Sequence, residues 1–168
     1  MGRRTKDEAL ETRRQILEAA LDLFSSQGYS QTTFVDVARR IGMTKGAVYW
    51  HFRDKPTLLA ALIVEMRRRE DALVAQQVPE VACLEDMKRY FTAYSRVIVE
   101  DDRCRKFAFF IALQMEWSLE TLGAVREHLT TLQAWPFDLV AQLLTQAQAA
   151  GELRPDIDLD RWKDIFAG

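Results

Sequence analysis

Apolar residues recur at helical spacing along almost the whole chain, and this periodicity limits the fold more than any other feature. In the first such segment the apolar residues share one face, at intervals of about three or four positions. They are Ile16, Leu17, Ala20, Leu21 and Phe24. Glycine is rare, and neither Asn-Gly nor Asp-Gly, the usual pairs of a tight β-hairpin, occurs. The sequence therefore predicts an all-α fold.

Residues that begin or end helices interrupt this pattern. Gly28 follows the first helix, at a position where a left-handed C-cap is expected. Thr33 and Asp36 have the spacing of a capping box, with Asp in place of Glu or Gln, and they predict a short helix over about 34–41. Gly42 then ends that helix.

Further capping residues predict the remaining helices. Thr44 is a suitable N-cap for a short helix over about 45–52. Asp54 caps a fourth helix, in which Pro56 occupies the first turn, where a missing N–H costs nothing. Beyond it, the periodicity predicts longer helices over about 84–100, 103–114, 119–132 and 137–149, and another from about 159.

The composition allows a folded core and excludes several classes of protein. Of the 168 residues, 48% are hydrophobic and 29% are charged, as in ordinary globular domains. No apolar stretch approaches the roughly 18 residues of a membrane span. The polar N-terminus lacks the apolar segment of a secretory signal. We therefore expect a cytoplasmic protein that is not associated with a membrane.

The charge changes sign along the chain. Residues 1–69 contain 13 Lys and Arg against 8 Asp and Glu, a net +5, whereas residues 70–168 contain 10 against 17, a net −7. This asymmetry indicates that the N-terminal part is the one that meets a polyanion. The three consecutive arginines 67–69 are interpreted as a solvated helix face.

The two cysteines, Cys83 and Cys104, are too few for a disulfide framework, and no His or Cys lies near them at zinc-binding spacing. We expect two reduced thiols packed as small hydrophobic residues, with a redox-sensing pair as the alternative. Neither a metal nor another cofactor is predicted. No acid–base pair, nucleophile motif or phosphate-binding loop is visible, so we expect no catalytic residues and a protein that is not an enzyme.

The segment 34–52, FVDVARRIGMTKGAVYWHF, has the spacing of a helix-turn-helix. Ala38 is small where two crossing helices approach each other. Gly42 tolerates the positive φ of the turn, and Val48 would pack the second helix onto the first. The exposed face of that helix can then enter the major groove of DNA. The alternative is an ordinary pair of antiparallel helices, in which a small residue four positions before a glycine is common.

Basic and aromatic residues near the second helix favour DNA binding over that alternative. Lys45, Arg53 and Lys55 cluster about this helix, and large aromatic residues occupy its C-terminal end. The N-terminus of the next helix, near Asp54 and Lys55, is suited to hold a phosphate.

The sequence from about Thr12 to Glu65 resembles the DNA-binding head of TetR-family repressors. Within it, TKGAVYWHFRDK is similar to the AcrR-like branch, which controls multidrug efflux. The resemblance implies an N-terminal three-helix helix-turn-helix head, residues 1–55, and a C-terminal helical bundle for ligand binding and dimerisation, residues 56–168, here called the body. The fourth helix, 55–75, would connect the two.

The resemblance also implies which residues of the recognition helix and its surroundings contact DNA. Base edges would be met at the start of this helix by Lys45, Gly46 and Ala47. Phosphates would be bound by the hydroxyls of two N-caps, by two aromatic side chains and by a lysine, namely Thr33, Thr44, Tyr49, His51 and Lys55.

Two further parts of the head are implied to lie along the DNA backbone. Trp50 would pack against it or brace it. Arg3, Arg4 and Lys6 would form an arm along the backbone or in the minor groove.

The body of such a protein binds a small molecule. Linings rich in aromatic residues and methionine suit apolar, often cationic ligands, and Glu116 is a candidate to counter a positive charge. The same apolar stripes are also what an ordinary core contains. The candidate ligand-binding residues are Met66, Tyr94, Ile98, Phe107, Phe110, Met115, Glu116, Trp117 and Phe137.

The predicted function is that of a homodimeric repressor on a palindromic double-stranded DNA operator. A small hydrophobic or cationic ligand would release it, and it would control an efflux or stress-response gene. In this family two long helices close the body and pair across the dimer. Residues 137–149 would belong to the first, and the sequence ends soon after the second begins, so we expect a truncated C-terminus. The alternative class is an interaction protein that has lost operator binding.

Overall fold

The computed structural model describes residues 6–81, 83–131, 138–159 and 161. The head contains α1 (Lys6–Gln27), α2 (Phe34–Arg40) and α3 (Lys45–His51). The chain continues with α4 (Lys55–Ala75), α5 (Leu84–Glu100), α6 (Asp102–Phe109), a π-helical turn (Phe110–Gln114), α7 (Leu119–Thr131) and α8 (Asp138–Ala149). No strand occurs in these ranges, and the prediction of an all-α fold is confirmed.

The head folds where the sequence places its capping residues. Thr33 and Asp36 form a reciprocal capping box. The backbone N–H of Thr33 donates to the Asp36 carboxylate at 2.9 Å, and the N–H of Asp36 donates to the Thr33 hydroxyl at 3.2 Å. The Asp54 carboxylate accepts the N–H of Thr57 at 2.9 Å and so caps α4. Gly42 takes a φ of +66° between α2 and α3, a conformation that strains other residues.

The predicted apolar face of α1 forms the centre of the head, and all five of its members are buried. Buried side chains from α2, α3 and the turn after α3 belong to the same cluster, among them Val37, Ala38, Val48 and Phe52. Burying a large apolar side chain contributes roughly 1.5–3 kcal/mol. Packing, rather than helix propensity, therefore stabilises the two seven-residue helices.

α4 joins head and body because it packs against both. It contacts α1 of the head and α5, α6 and α7 of the body. Its apolar residues Leu58, Leu59, Leu62 and Met66 are buried along the way. A displacement of this helix would therefore change packing contacts in both the head and the body.

The helix predicted over 103–114 is divided, which the apolar periodicity did not reveal. α6 ends at Phe109, and in the π-helical turn the N–H of Met115 donates to the carbonyl of Phe110 at 2.8 Å. Because a π turn holds an extra residue, the residues before and after it do not share one continuous face. Phe110 is fully buried, and its ring centroid lies 5.6 Å from that of Phe24 in α1, whereas Phe109 is exposed.

Ion pairs accompany this contact between α1 and α6. One Asp22 carboxylate oxygen accepts a hydrogen bond from Lys106 at 2.6 Å, and the other lies 3.5 Å from Arg40 of α2. Glu18, one turn earlier on α1, pairs with Arg103. Such partly exposed pairs add little to stability, but they align α6 with the head.

α5, α7 and α8 begin and end within a residue or so of their predicted positions. Gly151, with a φ of +76°, follows α8 as a C-cap. The helix predicted from about residue 159 lies almost wholly outside the described residues. Among the helices that are described, none is long and apolar enough to cross a membrane.

We expect Phe110→Ala to lower the free energy of unfolding by about 3–5 kcal/mol, because it leaves a cavity against Phe24. Phe109→Ala, at the exposed neighbouring position, is the matched control and should change the free energy by no more than about 0.5 kcal/mol. Urea unfolding followed by circular dichroism measures both. Equal losses in the two variants would show that the contact between Phe110 and α1 does not stabilise the fold.

Candidate DNA-binding surface and interior polar cluster

The orientation of α3 is set by the buried Val48, by an edge-to-face contact between Tyr49 and Phe34 of α2 at 4.9 Å, and by a polar cap. Val48 is fully buried where α3 crosses α2, and Ala38 provides the small surface that this crossing needs. At the start of α3, the N–H of Ala47 donates to the Thr44 hydroxyl at 3.3 Å. One face of α3 is thereby fixed to the head, and the opposite face lies at the surface.

That outer face carries large aromatic side chains and a lysine. Trp50 is 71% exposed and Tyr49 is 49% exposed. Lys45 lies with its ammonium 5.2 Å from the Tyr49 ring centroid, and the Trp50 ring meets His51 edge to face at 4.6 Å. Aromatic residues this exposed on a well-packed helix are typical of a binding surface.

Gly46 and Ala47 lie beside these side chains. A Cβ atom added at Gly46 would come no closer than 3.8 Å to another part of the protein, the Thr44 hydroxyl. The internal packing therefore does not require a glycine at this position. A glycine does allow the backbone of a partner to approach α3 closely, in agreement with the predicted contact to base edges.

The two N-cap threonines differ in how their hydroxyls are used. The Thr33 hydroxyl donates to the Asp36 carboxylate at 2.6 Å while accepting the Asp36 N–H. Its hydrogen is thus already committed within the protein. The Thr44 hydroxyl accepts from Ala47 and is exposed, so it keeps a hydrogen for another acceptor. Both predicted phosphate contacts remain predictions.

Lys55 points toward the protein rather than away from it. Its ammonium donates to the carbonyls of Tyr29 and Ser30, at 2.8 and 3.1 Å, and lies 4.6 Å from the Tyr29 ring centroid. Burial lowers the pKa of the ammonium. Lys55 therefore stabilises the turn after α1, and its predicted phosphate contact can use one remaining N–H.

The other predicted DNA contacts fall at the edges of this surface or beyond it. His51 is half-buried between Trp50 and Phe52. Lys6 is exposed at the first residue of α1. Arg3 and Arg4 lie outside the described residues.

The candidate ligand-binding residues do not form one group. Met66, Phe107, Phe110 and Met115 are buried in the core, and Tyr94 and Ile98 pack against it half-buried. Glu116 and Trp117 are exposed instead, on a surface cleft of about 340 Å³ that they share with Tyr29, Ser30, Ser118 and Thr121. Phe137 lies outside the described residues.

The interior group contains a carboxylate that the sequence analysis missed. Glu70 of α4 is only 4% exposed and accepts a hydrogen bond from the Tyr94 hydroxyl at 3.0 Å. The guanidinium of Arg67 lies 5.5 Å from the Tyr94 ring centroid. Burial raises the pKa of Glu70, although the hydrogen bond from Tyr94 and the charge of Arg67 oppose this. The sequence feature that indicates a buried Glu70 is its position four residues after Met66 and four before Val74, on the buried face of α4.

The interpretation of arginines 67–69 as a solvated face is wrong for two of the three. Arg67 pairs with Asp71 at 3.3 Å and donates to the Tyr90 hydroxyl at 3.2 Å. Arg69 makes a two-pronged pair with Asp101, at 2.6 and 3.1 Å. Only Arg68 of the three is exposed. Their partners lie on other turns and helices, so the run of three arginines alone does not indicate them.

The cysteines are free, as predicted. Cys104 is fully buried, and burial raises the pKa of its thiol to about 12. A thiol of this kind is a poor nucleophile at neutral pH, which disfavours the redox-sensing alternative. Across the part of the chain that the structure describes, no three His, Cys, Asp or Glu residues are grouped as metal ligands would be.

Comparison with known proteins places this fold and surface in context. The family model described as "Bacterial regulatory proteins, tetR family" matches residues 16–62. The chain is 31% identical over 163 residues to the HTH-type transcriptional regulator TtgR of Pseudomonas putida, and this similarity covers 96% of this chain and 77% of that protein.

Two further similarities concern the head and the whole fold. Over 62 residues, 37% of this chain and 29% of the relative, the identity to the HTH-type transcriptional regulator AcrR of Shigella flexneri is 52%. The solved structure of SmeT, the repressor of the Stenotrophomonas maltophilia multidrug efflux pump SmeDEF, superposes with a TM-score of 0.61 at 28% identity, covering 88% of this chain and 68% of that one. The resemblance stated for the head is confirmed.

Glu70 makes the stability of the fold depend on pH. Since its pKa lies above the ordinary value of 4.5 in the folded protein, the folded state keeps this proton to higher pH than the unfolded chain. Its contribution to stability is therefore lost as the pH rises through this interval. Glu70→Gln cannot titrate but can still accept from Tyr94. We expect the stability of this variant relative to wild type to increase between about pH 4 and 7.

Urea unfolding of both proteins across this range measures the difference. Glu100→Gln, at the exposed end of α5, is the control and should follow wild type. A difference between Glu70→Gln and wild type that stays constant with pH would exclude an elevated Glu70 pKa.

Proposed function

Because this chain belongs to the tetR family of bacterial regulatory proteins, we propose that it is a transcriptional repressor that binds operator DNA and leaves it when a small molecule occupies the body. The observation that carries the first half of this proposal is the outer face of α3. A helix fixed by the buried Val48 presents Lys45, Tyr49 and Trp50 outward, as a recognition helix must.

The proposed contacts follow from where each group lies on α3. Lys45, at the first turn, would reach base edges in the major groove, and Gly46 would let the backbone approach the bases. Tyr49 and Trp50, one turn later, are exposed enough to lie against the sugar-phosphate backbone. Thr44, exposed at the N-terminus of α3, would donate its hydroxyl hydrogen to a phosphate.

We propose that the protein binds DNA as a homodimer. A single seven-residue helix makes few base contacts, and two copies related by a twofold axis would double them on a palindromic operator. Their recognition helices would then lie about 34–36 Å apart, one turn of the double helix. Residues 1–55 would serve as the DNA-binding head, and residues 56–168 would serve dimerisation and ligand binding.

The interior around Glu70 and Tyr94 is the proposed ligand site. The Tyr94 ring and the buried Glu70 carboxylate already lie beside a cation, the Arg67 guanidinium 5.5 Å from the ring centroid. An aromatic ring beside a carboxylate likewise suits an apolar cationic ligand. Glu70 replaces Glu116 in this role, because Glu116 is exposed and its charge is screened by water. The head and body resemblance to regulators of multidrug efflux supports an efflux or stress-response gene as the target.

Ligand and DNA would be coupled through α4. This helix carries Glu70 in the body and Lys55 at its start, beside the head. A ligand that binds better when α4 has moved would favour a state in which the two recognition helices no longer match the operator. The coupling is thermodynamic, so operator binding would weaken ligand binding by the same factor.

Fluorescence-anisotropy titration tests the first half of the proposal. The protein is titrated against its own upstream intergenic DNA and against a scrambled duplex, across several salt concentrations. We expect affinity for the upstream DNA to be at least about 10³-fold higher. Equal, weak affinity for both duplexes would contradict the proposal of a sequence-specific repressor.

Lys45→Ala is the variant that probes the recognition helix in this assay. It should weaken operator binding about tenfold and relax the preference at one base position, since it removes a contact to a base edge. Lys88→Ala is the matched control, because Lys88 is exposed on α5 and pairs with Glu85. Equal operator affinity and equal base preference in the two variants would show that Lys45 does not contact DNA.

Calorimetric titration with tetraphenylphosphonium, an apolar cation, tests the second half. Wild type should bind this probe, and Glu70→Gln should bind it about tenfold more weakly, because the variant keeps the shape of the site but not its charge. Glu116→Gln, the control, should bind like wild type. Unchanged affinity in Glu70→Gln, or no binding to wild type, would contradict the proposed ligand class.

A further inference from the structure

His128, near the C-terminal end of α7, contacts the corner between α3 and α4. Its Nε2 atom lies 3.1 Å from the hydroxyl oxygen of Thr57 and 4.0 Å from Oδ1 of Asp54. The contact joins residues 71 positions apart. Val125 and Leu129, on either side of His128 in α7, are buried in the core. The body of the protein therefore holds His128 firmly against the head.

The hydrogen bonds of Thr57 determine which atom carries the proton between the two side chains. The Thr57 hydroxyl has one hydrogen to donate. Its oxygen lies 2.6 Å from Oδ1 of Asp54, an ionised acceptor that takes this hydrogen. The hydroxyl oxygen must then accept from His128, so Nε2 of His128 is the protonated nitrogen. The three groups form a directed chain from imidazole to hydroxyl to carboxylate.

The carboxylate at the end of this chain stays ionised near neutral pH. Burial tends to raise the pKa of Asp54, but hydrogen bonds from the Thr57 hydroxyl and N–H, together with Arg53 at 3.0 Å, hold it below its ordinary value. An imidazole that binds a second proton becomes positively charged, and its attraction to the Asp54 carboxylate is then stronger.

The other charged and titratable groups at this corner do not replace His128. Tyr29 lies near Asp54 in the turn after α1, and burial together with the Asp54 charge raises the pKa of its phenol to about 12. This phenol is therefore uncharged near neutral pH. On α7 itself, Arg126 and Glu127 precede His128 with opposite formal charges.

Asp54 is a sensitive point for the recognition helix. It caps α4, and it lies three residues after His51, where α3 ends. A force on Asp54 therefore acts on the joint that sets the direction of α3. We propose that His128 is a positioning residue for DNA binding: through Thr57 and Asp54 it holds the α3–α4 corner against α7, and it holds the corner more firmly when the imidazole is protonated. This inference rests on the proposed DNA-binding function.

NMR of the full-length protein without DNA tests the link itself. We expect the backbone amide resonances of Arg53, Asp54 and Thr57 to shift between pH 5.5 and 8 with the same midpoint as the ring protons of His128. In Thr57→Val, which removes the bridging hydroxyl, these amide shifts should become smaller. Amides that do not move, or that move equally in His128→Gln, would overturn the proposal.

The anisotropy assay tests the consequence for DNA binding. His128→Gln keeps an N–H donor toward Thr57 but cannot become charged, so its operator affinity should equal that of wild type at pH 8. At pH 6 it should be about two- to fivefold weaker, the size of a partly exposed ion pair. A ratio of affinities that is the same at both pH values would overturn the proposal. Because both proteins retain His51, any titration of that residue cancels in this ratio.

Two controls make these outcomes unambiguous. Thr57→Ser keeps the hydroxyl and should restore the wild-type ratio at both pH values, while thermal unfolding confirms that each variant is folded. If wild type itself shows no operator preference, the proposed function fails, and the NMR titration still decides whether His128 positions the corner.

Discussion

The packing of α4 against both parts of the molecule is the constraint on which the other elements depend. This helix contacts α1 of the head and α5, α6 and α7 of the body. One long helix and two helices of seven residues each cannot form a large core by themselves, so the head relies on α4 to complete its apolar contacts. The body depends on the same helix, which carries Glu70 and Arg67 into its interior. The packing of the head and that of the body therefore both depend on α4.

The head could be predicted from the sequence almost residue by residue, because its signals are local. The Thr33–Asp36 capping box, the turn glycine Gly42 and the buried Val48 each act within a few residues of their partners. The body was predicted only as a set of helices. Arg69 pairs with Asp101 across 32 positions, and the π-helical turn redirects Phe110 toward Phe24; neither interaction has a periodic signature in the sequence.

The candidate sites divide in the same way. The exposed face of α3 was predictable, because a helix with one buried valine presents most of its other residues to solvent. The direction of Lys55 was not, since the carbonyls that hold it belong to a turn 25 and 26 positions earlier. Glu70 was overlooked because a charged residue on an apolar face is conspicuous only once its neighbours are known. Predictions of exposure thus succeeded where burial follows from one helix face, and failed where charged groups are paired over a distance in the sequence.

Two residues that face outward on α3, Gly46 and Trp50, lie outside its buried core. A Cβ atom added at Gly46 would come within 4 Å only of the Thr44 hydroxyl, and Trp50 is largely exposed. Substitutions there can accumulate without unfolding the molecule, because the crossing of α2 and α3 depends on Val48 and Ala38 beneath them. The exposed residues of α3 are thus separate from those that fold the head, so its outer face can change in evolution while the scaffold remains intact.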